Sequence, residues 1–186
     1  MKATQILMEE HRVIERVLMA LETAALRLEA DKPLQTGFFF EAADFIKGFA
    51  DGCHHKKEEG GLFKSMAQHG LSEQVGPVAV MLAEHEQGRA FTIAMREAAL
   101  KQGAGDQTAK QAIISNARSY TSLLRQHIAK EDGVLFPMAD RLIPPQDQDK
   151  LTSSFERIEQ EEIGAGVHEK YMALAEKLVR EANQAN

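Results

Sequence analysis

An internal repeat in the sequence restricts this chain to a duplicated helical fold. Segment 54–63, His-His-Lys-Lys-Glu-Glu-Gly-Gly-Leu-Phe, aligns without a gap on segment 127–136, His-Ile-Ala-Lys-Glu-Asp-Gly-Val-Leu-Phe, at an offset of 73 residues. A second match, at an offset of 74, joins segment 8–11 to segment 82–85, and both segments end in histidine. Each copy therefore pairs a segment that carries one histidine with a segment that carries His-x-x-x-Glu. Two such helical hairpins predict a four-helix bundle.

Glycine and proline divide the chain into five segments that are each long enough for a helix. The segments are rich in Ala, Leu, Glu, Gln, Lys and Met, which favour helices. They predict helices at about 2–30, 36–69, 73–101, 107–142 and 146–183. The expected fold is all-α, with a four-helix bundle in residues 1–142. Residues 143–186 are expected to add a C-terminal helix that packs on the same domain.

Composition narrows the classes of protein to which this chain can belong. The chain has 186 residues, 44% of them hydrophobic, which suits one globular domain. Its net charge of −6, with no basic run longer than two lysines, argues against nucleic acid and membrane surfaces as partners. A single cysteine, early acidic residues and the lack of a long apolar stretch lead us to expect a cytoplasmic protein.

Four of the predicted helices place polar, metal-ligand types of residue in line with their apolar stripes. These residues are His11, His54, Glu58, His85, His127 and Glu131. Burying so many charged or polar groups costs several kcal/mol or more unless they are paired or bind a metal. Imidazoles and carboxylates without a thiolate suit iron, manganese or zinc rather than calcium or magnesium. Two facing carboxylates favour two ions, with each carboxylate bridging them.

Other residues compete for a place in this set. His55 and Glu59 are also four apart, but the repeat favours His54 and Glu58, so we expect His55 and Glu59 to contact the ligands or the surface. In the fifth predicted helix, Glu161 and His168 share a face and could place an additional ligand over the bundle. The alternative to metal binding is a bundle whose polar core is satisfied by hydrogen bonds alone.

These residues form a known pattern, in which each His-x-x-x-Glu motif is followed by Leu-Phe. The pattern resembles the hemerythrin-like family of HHE cation-binding domains over roughly residues 4–142. The resemblance implies an up-down antiparallel bundle with a carboxylate-bridged and oxo- or hydroxo-bridged diiron centre. It also implies that the histidines of each hairpin hold one iron, and that the two glutamates bridge.

The chain departs from the oxygen-carrying members of that family at two points. Those members have His-x-x-x-His in the third helix, whereas Arg89 stands four residues after His85 here. Their fourth-helix motif ends in Asp one residue further on, whereas Glu131 ends it here, with Asp132 next. The pattern is similar to the four-histidine variants of the family. Glu15, at the place on the first helix that matches Arg89, is either an extra ligand or a partner for Arg89.

The sequence therefore predicts a non-haem diiron protein that reacts with or senses O2, peroxide, nitric oxide or iron status. Its partner would be a small diatomic or peroxide ligand, and zinc or manganese could substitute for iron. Enzymatic turnover is left open. The alternatives are a metal-dependent regulatory or interaction module without turnover, and a simple store of oxygen or iron.

Overall fold

Six helices make up the part of the chain that the computed structural model describes, namely residues 2–35, 37–164 and 166–184, with backbone only at 161–163. Helices α1 and α3 are regular and span Ala3–Glu29 and Pro77–Gly103. Helix α2 spans 38–68 and helix α4 spans 109–142, each in several consecutive helical segments. Together α1 to α4 form an antiparallel up-down four-helix bundle, which confirms the expected all-α fold.

Wide π-type turns interrupt the α-helical geometry of α2 and α4. They occur at Ile46–His55 and Glu58–Leu62 in α2, and at Glu131–Leu135 in α4. π-turns often occur at functional sites. Here they coincide with both His-x-x-x-Glu motifs. A wider turn also rotates successive side chains less, so His54 and His55 are both buried, at 1% and 4% exposure.

The apolar core consists of two clusters, one on each side of a polar level. Along α1, Leu7 belongs to the smaller cluster and Ile14 to the larger one, with His11 between them in sequence. In the other three bundle helices the motif residues also lie between members of the two clusters, in reversed order along α2 and α4 because those helices run in the opposite direction. The bundle thus holds its polar residues at one level. None of the described helices has the length and apolar character needed to cross a membrane.

The C-terminal segment forms two helices rather than the single helix predicted at 146–183. Helix α5 comprises Pro145–Arg157 and a π-type segment Ile158–Ile163, and helix α6 spans Val167–Asn183. Between them, Gly164 and Gly166 have φ angles of 101° and 78°, which residues with a Cβ rarely adopt. Phe155 of α5 packs into the smaller cluster and Leu178 of α6 into the larger one.

Candidate metal centre

Two groups of buried side chains meet at the polar level of the bundle. The first group consists of His11, His54, Glu58 and Glu131, and the second of His55, Glu58, His85 and His127. Within each group the potential ligand atoms lie within 4.8 Å of one another. Every one of these side chains is no more than 4% exposed. The structure therefore brings together all six residues expected as ligands, and adds His55.

The two glutamates connect the groups. Glu58 turns one oxygen to each group, because Oε1 lies 3.3 Å from His54 Nε2 and Oε2 lies 3.4 Å from His85 Nε2. Glu131 Oε2 lies 3.3 Å from His11 Nε2 and 3.2 Å from His127 Nε2. Each carboxylate therefore faces one histidine from each hairpin, as two bridging ligands would.

The outward nitrogen of each of these four histidines donates a hydrogen bond to a carboxylate. The Nδ1 to oxygen distances are 2.7–2.9 Å in the pairs His11–Asp132, His54–Glu10, His85–Glu59 and His127–Glu84. Each carboxylate also accepts from a cation, in the pairs Asp132–Arg12, Glu10–Lys57, Glu59–Arg89 and Glu84–Lys130. With one proton held on its outward nitrogen, each ring can present the lone pair of its inward Nε2 to a metal ion, which displaces any proton bound there.

These outer contacts follow the internal repeat. The offset of 73 residues relates Glu59 to Asp132 and Lys57 to Lys130. The offset of 74 relates Glu10 to Glu84. The aromatic residue that closes each motif repeats too, since Phe136 stacks on His11 at 5.4 Å and Phe63 on His85 at 6.0 Å. The duplication therefore extends from the ligands to the residues that hold them.

The residues present fit a pair of metal ions. Both oxygens of Glu58 and of Glu131, and Nε2 of His11 and of His54, are buried without a hydrogen-bond partner among the described residues. The inward nitrogens and oxygens lie 3.0–3.4 Å apart. Ligand atoms around an ion with bonds of about 2.1 Å have separations of about 3 Å. The cations described above reach only the outer carboxylates, so metal ions would supply the missing positive charge.

The pKa shifts of two residues in the metal-free chain show that this centre favours positive charge on His54 and negative charge on Glu131. Burial alone would lower the pKa of His54, but the Glu58 and Glu10 carboxylates outweigh burial and raise it to about 10. Burial would raise the pKa of Glu131, but His127 and His11 hold it well below its usual range. The position of Glu131 therefore favours a carboxylate over a neutral carboxylic acid.

His55 is a third histidine in the second group, and the first group has no counterpart to it. Its ring stacks on that of His85, with 3.8 Å between centroids. Burial and the neighbouring rings of His85 and His54 lower its pKa well below the usual value, so the imidazole stays neutral and able to bind a metal. Its Nδ1 is 3.6 Å from Asp51 Oδ1, beyond hydrogen-bond distance. The repeat could not reveal this residue, because Ile128 occupies the matching place in the second copy.

Glu15 is neither an extra metal ligand nor a partner for Arg89, the two roles expected for it from the sequence. Arg89 donates to Asp51 and Glu59 at 2.6 and 2.7 Å, and it also contacts Glu86. Glu15 is about one-third exposed, pairs with Arg12 on the preceding turn of its own helix and belongs to neither ligand group. Arg89 therefore holds Glu59, the carboxylate that accepts from His85, in position. Glu15 forms an ion pair with Arg12 at the surface.

Of the two C-terminal candidates, His168 lies outside the two groups. His168 is 3.9 Å from Glu159 and forms a third group with Glu159, Glu10 and Cys53. The buried ammonium of Lys57 bonds to both glutamates of that group, so a cation is already present there. The side chain of Glu161 lies outside the described residues.

The fold and the joined histidine–glutamate groups define a metal-binding four-helix-bundle protein. A family model described as the hemerythrin HHE cation-binding domain matches residues 2–139. The chain belongs to that family.

Relatives are found in mycobacteria. The chain is 27% identical over 162 residues to an uncharacterized protein of Mycobacterium bovis and to two of Mycobacterium tuberculosis. The match covers 87% of this chain and 63% of each relative, so the chain spans less than two thirds of the length of the relatives it matches. No solved structure matches the chain significantly.

Proposed function

We propose that this chain is a non-haem diiron protein that reacts with O2, peroxide or nitric oxide at the two joined groups. The observation that carries the proposal is the placement of Glu58 and Glu131. Each faces histidines of both hairpins from a buried position and has no hydrogen bond there among the described residues. A carboxylate in that position needs two cations rather than one.

The donor set supports iron as the metal. Imidazole and carboxylate ligands without thiolate suit iron, manganese and zinc, and a bridging oxo or hydroxo group would complete the centre. Two iron ions held there would exchange electrons with O2, peroxide or nitric oxide by changing between the ferrous and ferric states. Zinc or manganese would fill the same positions, and zinc would do so without redox chemistry.

The protein makes the two positions unequal. The first group offers two histidines, His11 and His54, and the second offers three, His55, His85 and His127. Glu58 belongs to both groups, and Glu131 Oε2 of the first group also lies 3.2 Å from His127 Nε2 of the second. With Glu131 shared in this way, the first group has four donors and the second has five, so the first group leaves more room for a small exogenous ligand. We therefore assign the binding of diatomic or peroxide ligands to the side of His11 and His54.

The outer residues fix the rings and hold their protons. Asp132, which also accepts from Arg12, accepts the Nδ1 proton of His11 and so keeps it directed outward. Glu10, which also accepts from Lys57, does the same for His54. Burial would raise the pKa of Glu10, but His54 and Lys57 lower it below its usual range, so it remains an acceptor. Fixed rings keep the four inward nitrogens available without a rotamer change.

The test is anaerobic reconstitution with ferrous iron, followed by metal counting, exposure to air and addition of hydrogen peroxide. We expect two irons per chain, oxidation in air within minutes and peroxide consumption above that of free iron. The Glu58→Gln variant is the matched control, because it removes one shared charge while it keeps the side-chain shape. A fully loaded protein that neither oxidises nor consumes peroxide or nitric oxide would favour the alternative of a metal-dependent regulatory module.

A further inference from the structure

A chamber of about 310 Å³ lies beside the second ligand group, the one that contains His55, His85 and His127. The rings of His55 and His85 form part of its wall, and Ala43, Ile46 and Ile93 add apolar surface. Since a water molecule takes about 30 Å³, this volume corresponds to about ten waters. A diatomic gas or peroxide would leave most of it unfilled. The size is that of a site for a small organic molecule.

Two buried polar groups at the chamber have no partner among the described residues. The Tyr120 side chain is 1% exposed, and its hydroxyl makes no hydrogen bond there. Nδ1 of His55 is also unpartnered and stands 3.6 Å from Asp51. The other four histidines of the site have carboxylates at 2.7–2.9 Å. Leaving such groups unsatisfied costs free energy, so an occupant that bonds to them gains affinity.

The chemistry of these groups specifies a hydroxyl on an apolar body. If His55 binds the metal through Nε2, its Nδ1 carries a proton and can only donate, whereas Asp51 can only accept. Arg89 holds Asp51 in place through a 2.6 Å hydrogen bond. A hydroxyl group accepts from His55 and donates to Asp51 at the same time. The Ala43, Ile46 and Ile93 side chains then pack against the carbon skeleton.

The occupant does not need to bind a metal. The group next to the chamber already has three histidines and the two shared glutamates, whereas the open positions lie on the side of His11 and His54. His55 separates the chamber from the second group and forms a wall of both. An occupant in contact with this ring is placed to exchange electrons with the centre through the imidazole.

We propose that the chamber binds a small hydroxylated aromatic molecule of the phenol or quinol class, which supplies electrons to the centre through His55. The proposal rests on the diiron function above, since peroxide or O2 leaves the irons ferric and a reductant must return them. A quinol gives two electrons to two ferric ions, loses its two hydroxyl protons and leaves as the quinone. Asp51 accepts the first proton, and the second passes to solvent. With peroxide as oxidant, quinol and hydrogen peroxide yield quinone and two waters.

The binding test uses zinc-loaded protein, which holds the site together without redox chemistry. Saturation-transfer NMR and calorimetry compare p-cresol with toluene, which lacks the hydroxyl. We expect p-cresol to bind at least about tenfold more tightly, the factor that corresponds to a hydrogen-bond gain of about 1.4 kcal/mol. Equal binding of the two compounds, or no binding of p-cresol, would overturn the proposal.

Two matched pairs of variants locate the site. Ile93→Trp should obstruct the chamber and weaken p-cresol binding about tenfold or more, while Leu100→Trp, at another exposed position on α3, should not. Tyr120→Phe should weaken binding, while Tyr171→Phe, at the other tyrosine of the chain, should not. Equal effects within either pair would show that p-cresol binds elsewhere.

The electron-transfer part is tested with iron-loaded protein, hydrogen peroxide and hydroquinone, by following quinone absorbance. We expect quinone formation in proportion to peroxide consumed, reduced by Ile93→Trp but not by Leu100→Trp. A new visible band on adding p-cresol to the ferric protein would show phenolate bound to iron and contradict transfer through His55. If the iron-loaded protein consumes peroxide but neither Ile93→Trp nor Leu100→Trp changes quinone formation, this inference is wrong and the diiron function stands. If the iron-loaded parent protein consumes no peroxide although its zinc-loaded form binds p-cresol, the diiron function is wrong.

Discussion

Replacing Glu58 by glutamine should cost far more metal affinity than replacing its sequence neighbour Glu59. Glu58 places one oxygen 3.3 Å from His54 Nε2 and the other 3.4 Å from His85 Nε2, so its charge serves both groups. Glu59 only accepts hydrogen bonds, from His85 Nδ1 and from Arg89. Loss of such an outer contact weakens metal binding about 10–100-fold, or about 1.4–2.7 kcal/mol, at one group. Loss of a shared ligand should exceed about 100-fold at each group.

The difference can be measured as a metal-dependent shift in melting temperature. With buffered zinc at about 1,000 times the dissociation constant, each site stabilises the parent by about 4.1 kcal/mol, and a site weakened 100-fold retains about 1.4 kcal/mol. Glu58→Gln therefore loses about 5 kcal/mol over two sites. A chain of this size shifts by about 2–4 °C per kcal/mol, so the loss is about 10–20 °C, against about 3–11 °C for Glu59→Gln.

Melting of the metal-free proteins provides the control for this comparison. Glu58→Gln should also lower the stability of the metal-free protein, because it removes one partner of the buried His54–Glu58 pair. The comparison is therefore the zinc-dependent shift of each variant relative to its own metal-free form. The reasoning would be refuted if Glu58→Gln kept the zinc-dependent shift of the parent. It would also be refuted if Glu59→Gln lost more of the zinc-dependent shift in melting temperature than Glu58→Gln.

Three further outcomes are expected. Burial, with the Glu10 carboxylate adding to it, raises the pKa of the Cys53 thiol to about 12, so a thiol reagent at pH 8 should modify the unfolded chain but not the folded one. Gly61→Ala should cost about 1–3 kcal/mol in denaturant melts because its Cβ would lie 2.8 Å from the ring of Phe155, whereas Gly133→Ala, with nothing within 4 Å, should be neutral or stabilising by up to about 1 kcal/mol. For the metal-free protein, the pKa of His54 rises from 6.5 to about 10 on folding, so its contribution to stability should be complete below pH 6.5 and disappear as the pH rises through 10; a flat stability profile over that range would contradict the assignment.

The sequence predicts much of this molecule because its signals are local or repeated. Apolar stripes mark the bundle helices, and the duplicated motif brings its four histidines and two glutamates to one level. The break in the C-terminal segment was missed because Gly164 and Gly166 lie within an otherwise helical pattern, and only their positive φ angles reveal the stop. Helix α5 can then reach the smaller core cluster while α6 packs on the larger one.

The features of the site that were missed depend on geometry that no sequence period reports. A regular α-helix would turn adjacent residues to different faces, whereas the π-turn allows both His54 and His55 to face inward. The outer carboxylates were visible in the repeat as Glu10 and Glu84, each directly before a histidine. Their role emerges only when each is seen to bond the histidine of the neighbouring helix rather than its own neighbour in sequence.

Metal content per chain, measured together with the optical spectrum after reconstitution with iron, tests the central claim most directly. The two groups joined by Glu58 and Glu131 should hold two irons and show the near-ultraviolet bands of a bridged diferric centre. One iron per chain without those bands would contradict the bridging role of the glutamates. Less than about half an equivalent, from a protein that is equally stable with and without metal, would contradict the metal centre itself.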